Sequence, residues 1–324
     1  MKITVYLGAA ATGKTSVTAA TALVRARSGK KSMALLADPS HALRAALGLR
    51  DGFAEHHVTD NLSASVLDVR AALDDMVRAY AARDAERILR HPIYATLAES
   101  LSGMQELMTL ERIDQQRRRG FEQIVVDTAS SHRAASILDK PELLAEFAGA
   151  QWIKLISQTY GVAEMMGMMA MGRKAFETFS RVEGLLGAKL VREVLDFYTL
   201  FEPVSDGFTA RAQRIVTLLK SSATEFRLVT TPQKARRDAK FFSEALRLRG
   251  AELSGVWINR VWTREAVSPA AGSAAGEAIE WYRCMQAAQQ REIDAVREEF
   301  ETRVMVELPQ EIDSIAALER LAGR

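Results

Sequence analysis

The chain has 324 residues, of which 48% are hydrophobic and 26% are charged, a composition typical of globular proteins. Its formal net charge of +2 gives no support to nucleic-acid binding through bulk charge. The single cysteine, Cys284, excludes an intramolecular disulfide and a cysteine-cluster metal site. No apolar run reaches the ~18 residues of a transmembrane segment, and no signal-peptide pattern opens the chain, so we expect a cytoplasmic location.

Short apolar runs alternate with helical patterns along much of the chain. Residues 3–7 predict a strand, residues 14–27 a helix, and residues 33–37 a second strand that is buried on both faces. Later strands are predicted at residues 124–126, 226–230, 255–258 and 303–306, and loops at His56-His57 and residues 267–278. The alternation predicts an α/β fold with a doubly wound, mostly parallel sheet, in which ligands bind beyond the carboxyl ends of the strands.

The turn after the first predicted strand carries the pattern G-x-x-x-x-G-K-[ST]. The match is Gly8-Ala9-Ala10-Ala11-Thr12-Gly13-Lys14-Thr15, and it opens a predicted helix as the motif requires. Glycines let backbone N–H groups face phosphate oxygens, Lys14 reaches the β- and γ-phosphates, and the Thr15 hydroxyl ligates Mg²⁺. We therefore predict a P-loop NTPase that binds ATP and Mg²⁺. The contacting residues are expected to be Gly8, Ala11, Thr12, Gly13, Lys14, Thr15 and Ser16.

Two aspartates end apolar strands at the sheet edge that carries Lys14. One of Asp38 and Asp127 can orient the attacking water, while the other holds Mg²⁺ directly or through water. We predict Lys14, Asp38 and Asp127 as catalytic residues, and Thr15, Asp38 and Asp127 as metal ligands. An aspartate after a strand is also a common turn or helix-capping residue. His41, three residues after Asp38, either contacts phosphate or caps the following helix.

The middle of the chain carries helical patterns only, over residues 70–120 and 141–222. One apolar face is formed by Val162, Met165, Met166 and Met169, and another by Leu186, Leu190, Val194, Phe197 and Phe201. We predict a single ATPase domain over residues 1–324, with helical insertions at about these two ranges. The methionine-rich stretch Met165–Met171 forms either a groove for an apolar helix or part of a helical core.

The order of the motifs resembles the ArsA family of ATPases, which contains arsenite-pump ATPases and ATPases that target tail-anchored membrane proteins. The resemblance rests on the phosphate loop, on two switch-like segments and on two later strand ends, and it is closest to single-domain bacterial members. The later matching segments are Asp38-Pro39-Ser40-His41-Ala42-Leu43, Asp127-Thr128-Ala129, Val229-Thr230-Thr231-Pro232 and Val256-Trp257-Ile258-Asn259-Arg260-Val261.

This resemblance implies dimers that enclose two ATP molecules at their interface. It further implies that Asp38 positions the hydrolytic water, that Asp127 senses the γ-phosphate, and that Asn259 contacts adenine near Pro309. The family loop usually begins Gly-Lys-Gly-Gly, and its lysine reaches the partner subunit's phosphates, whereas this chain has Ala9. Ser130-Ser131-His132-Arg133 stands where Pro-Thr-Gly-His is usual, and the family's arsenite-binding and zinc-binding cysteines have no counterpart.

Three hypotheses follow. The first is a dimeric ATP-hydrolysing switch that couples its nucleotide state to an apolar protein or other partner, such as a membrane-protein helix. The second is a regulatory subunit of low activity that pairs with a paralogous ATPase carrying the lysine absent at Ala9. The third is a partition-type positioning ATPase, but residues 312–318 lack the basic helix face that this function predicts.

Overall fold

The computed structural model describes residues 1–49, 55–99, 105–128, 132–139, 188–262, 274–306 and 312–323. The chain forms two compact units. An α/β unit contains residues 1–67, 115–138 and 218–324, and a helical unit contains residues 68–114 and 139–217. The prediction of one ATPase domain with two helical insertions stays a prediction.

The α/β unit is built on one eight-stranded sheet with the order β3-β4-β2-β5-β1-β6-β7-β8. Its strands are β1 (Lys2–Leu7), β2 (Ser32–Leu36), β3 (His56–Thr59), β4 (Leu62–Val66), β5 (Gln123–Asp127), β6 (Thr224–Thr230), β7 (Leu253–Val261) and β8 (Thr302–Val306). All neighbouring strands are parallel except β3 and β4, which pair antiparallel. The predicted doubly wound, mostly parallel α/β sheet is therefore confirmed.

Strand β1 lies in the middle of the sheet, between β5 and β6. Tyr6 of β1 pairs with Asp127, the last residue of β5, and β2 pairs with β5 up to Leu35 and Val126. The carboxyl ends of β1, β2 and β5 consequently meet at one edge, which brings together the segments that follow them in sequence.

The helices of the α/β unit cover this sheet. They are α1 (Lys14–Arg27), α2 (His41–Ala46), α8 (Ala235–Arg247), α9 (Ala274–Arg297) and α10 (Ile315–Gly323). Helix α1 buries Val17, Ala20 and Leu23 in the core, together with Leu36 of β2 and Val125 of β5. This apolar packing fixes the direction of α1, and with it the loop from which α1 begins.

The helical unit contains α3 (Val69–Ala81), α4 (Ala85–Leu89), α5 (Pro92–Glu99), most of α6 (Gln105–Arg118) and α7 (Ala188–Leu219). No strand occurs in its described residues, as the sequence predicts. Buried charges tie three of these helices together, because Arg211 of α7 lies 3.2 Å from Glu111 and 3.5 Å from Asp114 of α6, and Tyr80 of α3 donates to Glu111. The methionine-rich stretch Met165–Met171 lies outside the described residues.

Two loop predictions were wrong. His56 and His57 belong to β3, an edge strand whose alternating half-buried and exposed residues pack one face against the unit. Of the predicted loop at residues 267–278, residues 274–278 belong to α9 instead, where alanines favour a helix, and residues 267–273 lie outside the described residues.

Candidate functional site

The loop between β1 and α1 has the backbone conformation of an anion-binding turn. Ala11 and Gly13 have positive φ angles of 61° and 81°, and Gly13 directly precedes α1. Alternation of left-handed and ordinary residues turns successive N–H groups toward one concavity. A Cβ atom at Gly8 would lie 2.3 Å from the Val229 carbonyl oxygen of β6, so only glycine lets the loop pass this close to the sheet.

Lys14 is buried against the end of β5. Its Nζ donates to Asp127 Oδ1 at 2.6 Å and also to the Thr128 carbonyl oxygen. The Lys14 side chain is 3% exposed and that of Asp127 is not exposed. Because a buried charge is costly unless it is paired and hydrogen-bonded, this arrangement needs both partners in place.

The second oxygen of Asp127 joins two further segments to the site. Asp127 Oδ2 accepts hydrogen bonds from Thr15 Oγ1 at 2.7 Å and from the Ala37 backbone N–H at 3.1 Å. One carboxylate therefore connects the loop, the start of α1, β5 and the segment after β2. This donor set fits the groups predicted to bind here, since Mg²⁺ is commonly held by a hydroxyl, a carboxylate and phosphate oxygens.

Asp38 and His41 lie in the segment after β2. Asp38 is exposed and makes no hydrogen bond within the part of the chain that the structure describes. It follows Ala37, whose N–H bonds Asp127, so its backbone is fixed next to the site. Helix α2 is capped by Ser40, whose Oγ accepts from Leu43 N at 3.3 Å. The alternative in which His41 caps this helix is therefore wrong, since His41 is its first residue.

Asn259 approaches the loop from β7. Its Nδ2 donates to the Thr12 carbonyl oxygen at 2.9 Å, and both residues are buried. Ser16 is half-buried in the first turn of α1. Two further predicted positions lie outside the described residues. They are Pro309, predicted near the adenine, and Ser130, in the segment that differs from the family's second switch.

Sequence reasoning missed the role of Thr128 and Tyr6 in supporting the site. Thr128 supplies a carbonyl oxygen to Lys14, and its hydroxyl donates to the Tyr6 carbonyl oxygen at 2.7 Å. Burial raises the pKa of Tyr6 to about 12, although the hydrogen bond with Thr21 acts in the opposite direction. The backbone acceptors carry no sequence signal. A threonine directly after a strand-ending aspartate, as Thr128 follows Asp127, is the one sequence feature that indicates this supporting role.

The profile of the ArsA-type anion-transporting ATPases matches residues 1–324 of this chain. The chain belongs to this family. Two relatives that carry the provisional name arsenical pump-driving ATPase are similar over 149 residues: that of Prosthecochloris vibrioformis is 27% identical, and that of Chlorobaculum tepidum is 26% identical. An uncharacterized protein of Streptomyces coelicolor is 34% identical over 153 residues.

These pairwise matches are partial. They cover 44–45% of this chain and only 37–38% of each relative, so the chain spans less than two-fifths of the length of the relatives it matches. Membership of the ArsA family supports nucleotide binding and an ATP-hydrolysing role. Among the described helices, none combines the length and the apolar character needed to cross a membrane.

Proposed function

We propose that this member of the ArsA family binds ATP with Mg²⁺ at residues 8–16 and hydrolyses it. One observation carries the proposal: Lys14 of the loop meets Asp127 at 2.6 Å, while Thr15 bonds the other oxygen of the same carboxylate. Phosphoryl transfer requires mainly positioning and charge neutralisation, and these three side chains offer both.

Each polar residue has a distinct part in the proposed reaction. The Lys14 ammonium neutralises charge on the β- and γ-phosphates, and the Gly8–Thr15 backbone holds them. Thr15 and Asp127 hold Mg²⁺, with Asp38 as a further candidate ligand, and bound Mg²⁺ supplies positive charge to the phosphate oxygens. Asp38 orients the attacking water, a part that its exposed carboxylate leaves it free to play. Pro309 is the proposed contact to the base.

The test compares ATP hydrolysis and ATP affinity, with Mg²⁺, in the unaltered protein and in Asp38→Asn. We expect hydrolysis to be lost and affinity to change little, because the variant keeps the shape and removes the charge that orients the water. Asp60→Asn is the matched control, since Asp60 is an exposed aspartate in the turn between β3 and β4. Full hydrolysis by Asp38→Asn would contradict the part given to Asp38.

A second candidate function is a regulatory nucleotide-binding subunit that pairs with a paralogous ATPase. It is favoured by Ala9, which stands where the family carries the lysine that reaches across a dimer. A cation supplied in trans can raise phosphoryl-transfer rates by about 10³–10⁵. We expect Ala9→Lys to raise the turnover of the protein alone. Ala10→Lys in the same loop is the control, and equal effects of both variants would count against this candidate.

The proposed switch acts as a dimer whose nucleotide state controls binding of an apolar partner. The helical unit, predicted to be an insertion in a single ATPase domain, would carry this partner surface and includes the methionine-rich stretch. Light scattering with and without ATP and Mg²⁺ measures the mass of the complex. A monomeric mass under both conditions, with ATP bound, would contradict the proposed dimer but not the proposed nucleotide site.

A further inference from the structure

The end of β7 departs from regular strand geometry beside the phosphate loop. Pairing of β7 with β6 ends at Ile258, and three steps along β7 from Ile258 to Val261 match only two along β8. The extra residue is accommodated by Arg260, which has a left-handed φ of 58°. Such a conformation costs a non-glycine residue about 1–2 kcal/mol and is concentrated at functional sites.

Asn259 lies within this bulge and contacts the loop. The Asn259 amide Nδ2 lies 2.9 Å from the Thr12 carbonyl oxygen, although the two residues are 247 positions apart in sequence. A Cβ atom added at Gly13 would lie 2.3 Å from the same Nδ2, so the amide packs directly on the loop backbone. Thr12 also donates through Oγ1 to the Ala9 carbonyl oxygen at 3.1 Å, which links both halves of the loop.

We propose that Asn259 is a positioning residue for the phosphate loop and acts on nucleotides through their phosphates. The proposal rests on the proposed nucleotide-binding function, and it differs from the adenine contact that the family resemblance implies. Without the amide, the buried Thr12 carbonyl loses its partner, and the left-handed turn at Gly13 that precedes Lys14 is held less firmly. All ligands that use the loop then bind more weakly, whatever base they carry.

The test measures dissociation constants for ATP, GTP and inorganic tripolyphosphate, each with Mg²⁺, in Asn259→Ala and Asn259→Asp. The aspartate keeps the shape of the side chain but cannot donate to Thr12 when ionised. We expect all three ligands to weaken by a similar factor of about 10, the size expected when a buried hydrogen-bond partner is removed. Asn61→Ala is the control, because Asn61 is exposed in the turn between β3 and β4.

Amide hydrogen exchange of residues 8–16 supplies a readout that needs no ligand. We expect faster exchange there in both Asn259 variants, with unchanged exchange in β1 and β5 as evidence that the fold is intact. Weakening confined to ATP would establish the adenine contact instead and overturn the proposal. Unchanged hydrogen exchange of the loop would also overturn it. If the unaltered protein binds none of the three ligands, the proposed function fails, and the exchange result still decides whether Asn259 holds the loop.

Discussion

The α/β unit and the helical unit each contain a buried ionic cluster, but the two clusters are built differently. In the α/β unit, Lys14 comes from the end of a glycine-containing loop and shares Asp127 with a hydroxyl and a backbone amide. In the helical unit, the half-buried Arg211 comes from the C-terminal half of α7 and contacts the buried Glu111 and Asp114. Burial of charge is therefore common to both and does not by itself mark a functional site.

The two clusters differ in whether an external ligand can bind to the cation. The Arg211 guanidinium lies 4.4 Å from the centre of the Tyr80 ring, and Tyr80 also donates to Glu111, so side chains of α3 and α6 pack around the charge. Lys14 lies beside a turn of backbone N–H groups suited to anions, so phosphate oxygens can replace its protein partners. We therefore expect the Arg211 cluster to serve stability and the Lys14 cluster to serve binding.

The largest predicted effect concerns the helical cluster. Arg211→Met should lower the free energy of unfolding by about 3 kcal/mol, because it removes the Arg211 cation from two buried carboxylates. Urea denaturation measures this loss, and ATP affinity should be unchanged. Arg83→Met, at an exposed arginine of the same unit, should change stability by less than about 0.5 kcal/mol. An equally weak effect at Arg211 would erase the distinction between the two clusters.

Loss of Lys14 should mainly affect the chemistry. Lys14→Ala should reduce ATP hydrolysis by about 10²–10³, the size found when one preorganised donor to developing charge is removed. The fold should persist in this variant, because Asp127 keeps its bonds from Thr15 and Ala37. Steady-state kinetics checks the first expectation. Lys30→Ala, which removes an exposed lysine paired with Glu122, should leave the rate unchanged.

Two buried tyrosines extend the comparison to alkaline pH. Burial raises the pKa of Tyr94 in the helical unit, and a 2.5 Å hydrogen bond to Asp74 together with the charge of that carboxylate raises it further. Burial raises the pKa of Tyr6 to about 12, with Thr21 as a neutral partner. Both tyrosines thus remain protonated in the folded chain at pH values where an unfolded chain would ionise.

The sign of the Tyr6 effect follows from this raised pKa. The unfolded tyrosine ionises near 10, so the stabilising contribution of Tyr6 is complete below pH 10 and is lost as the pH rises toward about 12. Two pKa units correspond to about 2.7 kcal/mol. Tyr6→Phe should therefore lose less stability over this pH window, as urea denaturation measures. Thr21→Val should keep the full loss of stability at alkaline pH. An equally reduced pH dependence of stability in both variants would contradict the titration of Tyr6.

The smallest effect should come from a glycine on α7. A Cβ atom at Gly207 would lie 2.2 Å from the Tyr80 ring, so Gly207→Ala must displace the ring that encloses Arg211. We expect a loss of about 1–3 kcal/mol from overpacking, in spite of the better helix propensity of alanine. Thermal unfolding measures it, with Gly323→Ala as a control in open space. A stabilised Gly207→Ala variant would mean that the Tyr80 ring moves freely.

Much of the α/β fold could be predicted from local patterns. Helix α1 occupies Lys14–Arg27 as expected, because the phosphate-loop motif defines its start and Ser28-Gly29 its end. The prediction of β2 at residues 33–37 lies one residue too far along the chain, because the apolar run continues into Ala37 beyond the end of the strand at Leu36. Strand β4, over Leu62–Val66, was missed because Ser63 and Ser65 interrupt its apolar pattern, although both serines are buried.

The candidate site was predictable only in part. The sequence places Lys14 and Asp127 at one sheet edge because Asp127 ends β5 and Lys14 follows the loop after β1, and the structure brings them into contact. Their functional roles stay predictions. The bond from Asn259 to Thr12 depends on a bulge in β7 and on a distant loop, so no local pattern contains it. The Thr128 carbonyl acts through its backbone, for which residue type gives no indication.

The only cysteine of the sequence gives the protein a built-in attachment point for a fluorescent dye. Cys284 is exposed on α9, and Trp281, 60% exposed, precedes it by three residues and so lies on the same side of the helix. A thiol-reactive dye at Cys284 would be quenched by this indole, and any subunit that covers the helix would alter the quenching. The proposed assembly in response to ATP can thus be tested without altering the sequence, at one known position.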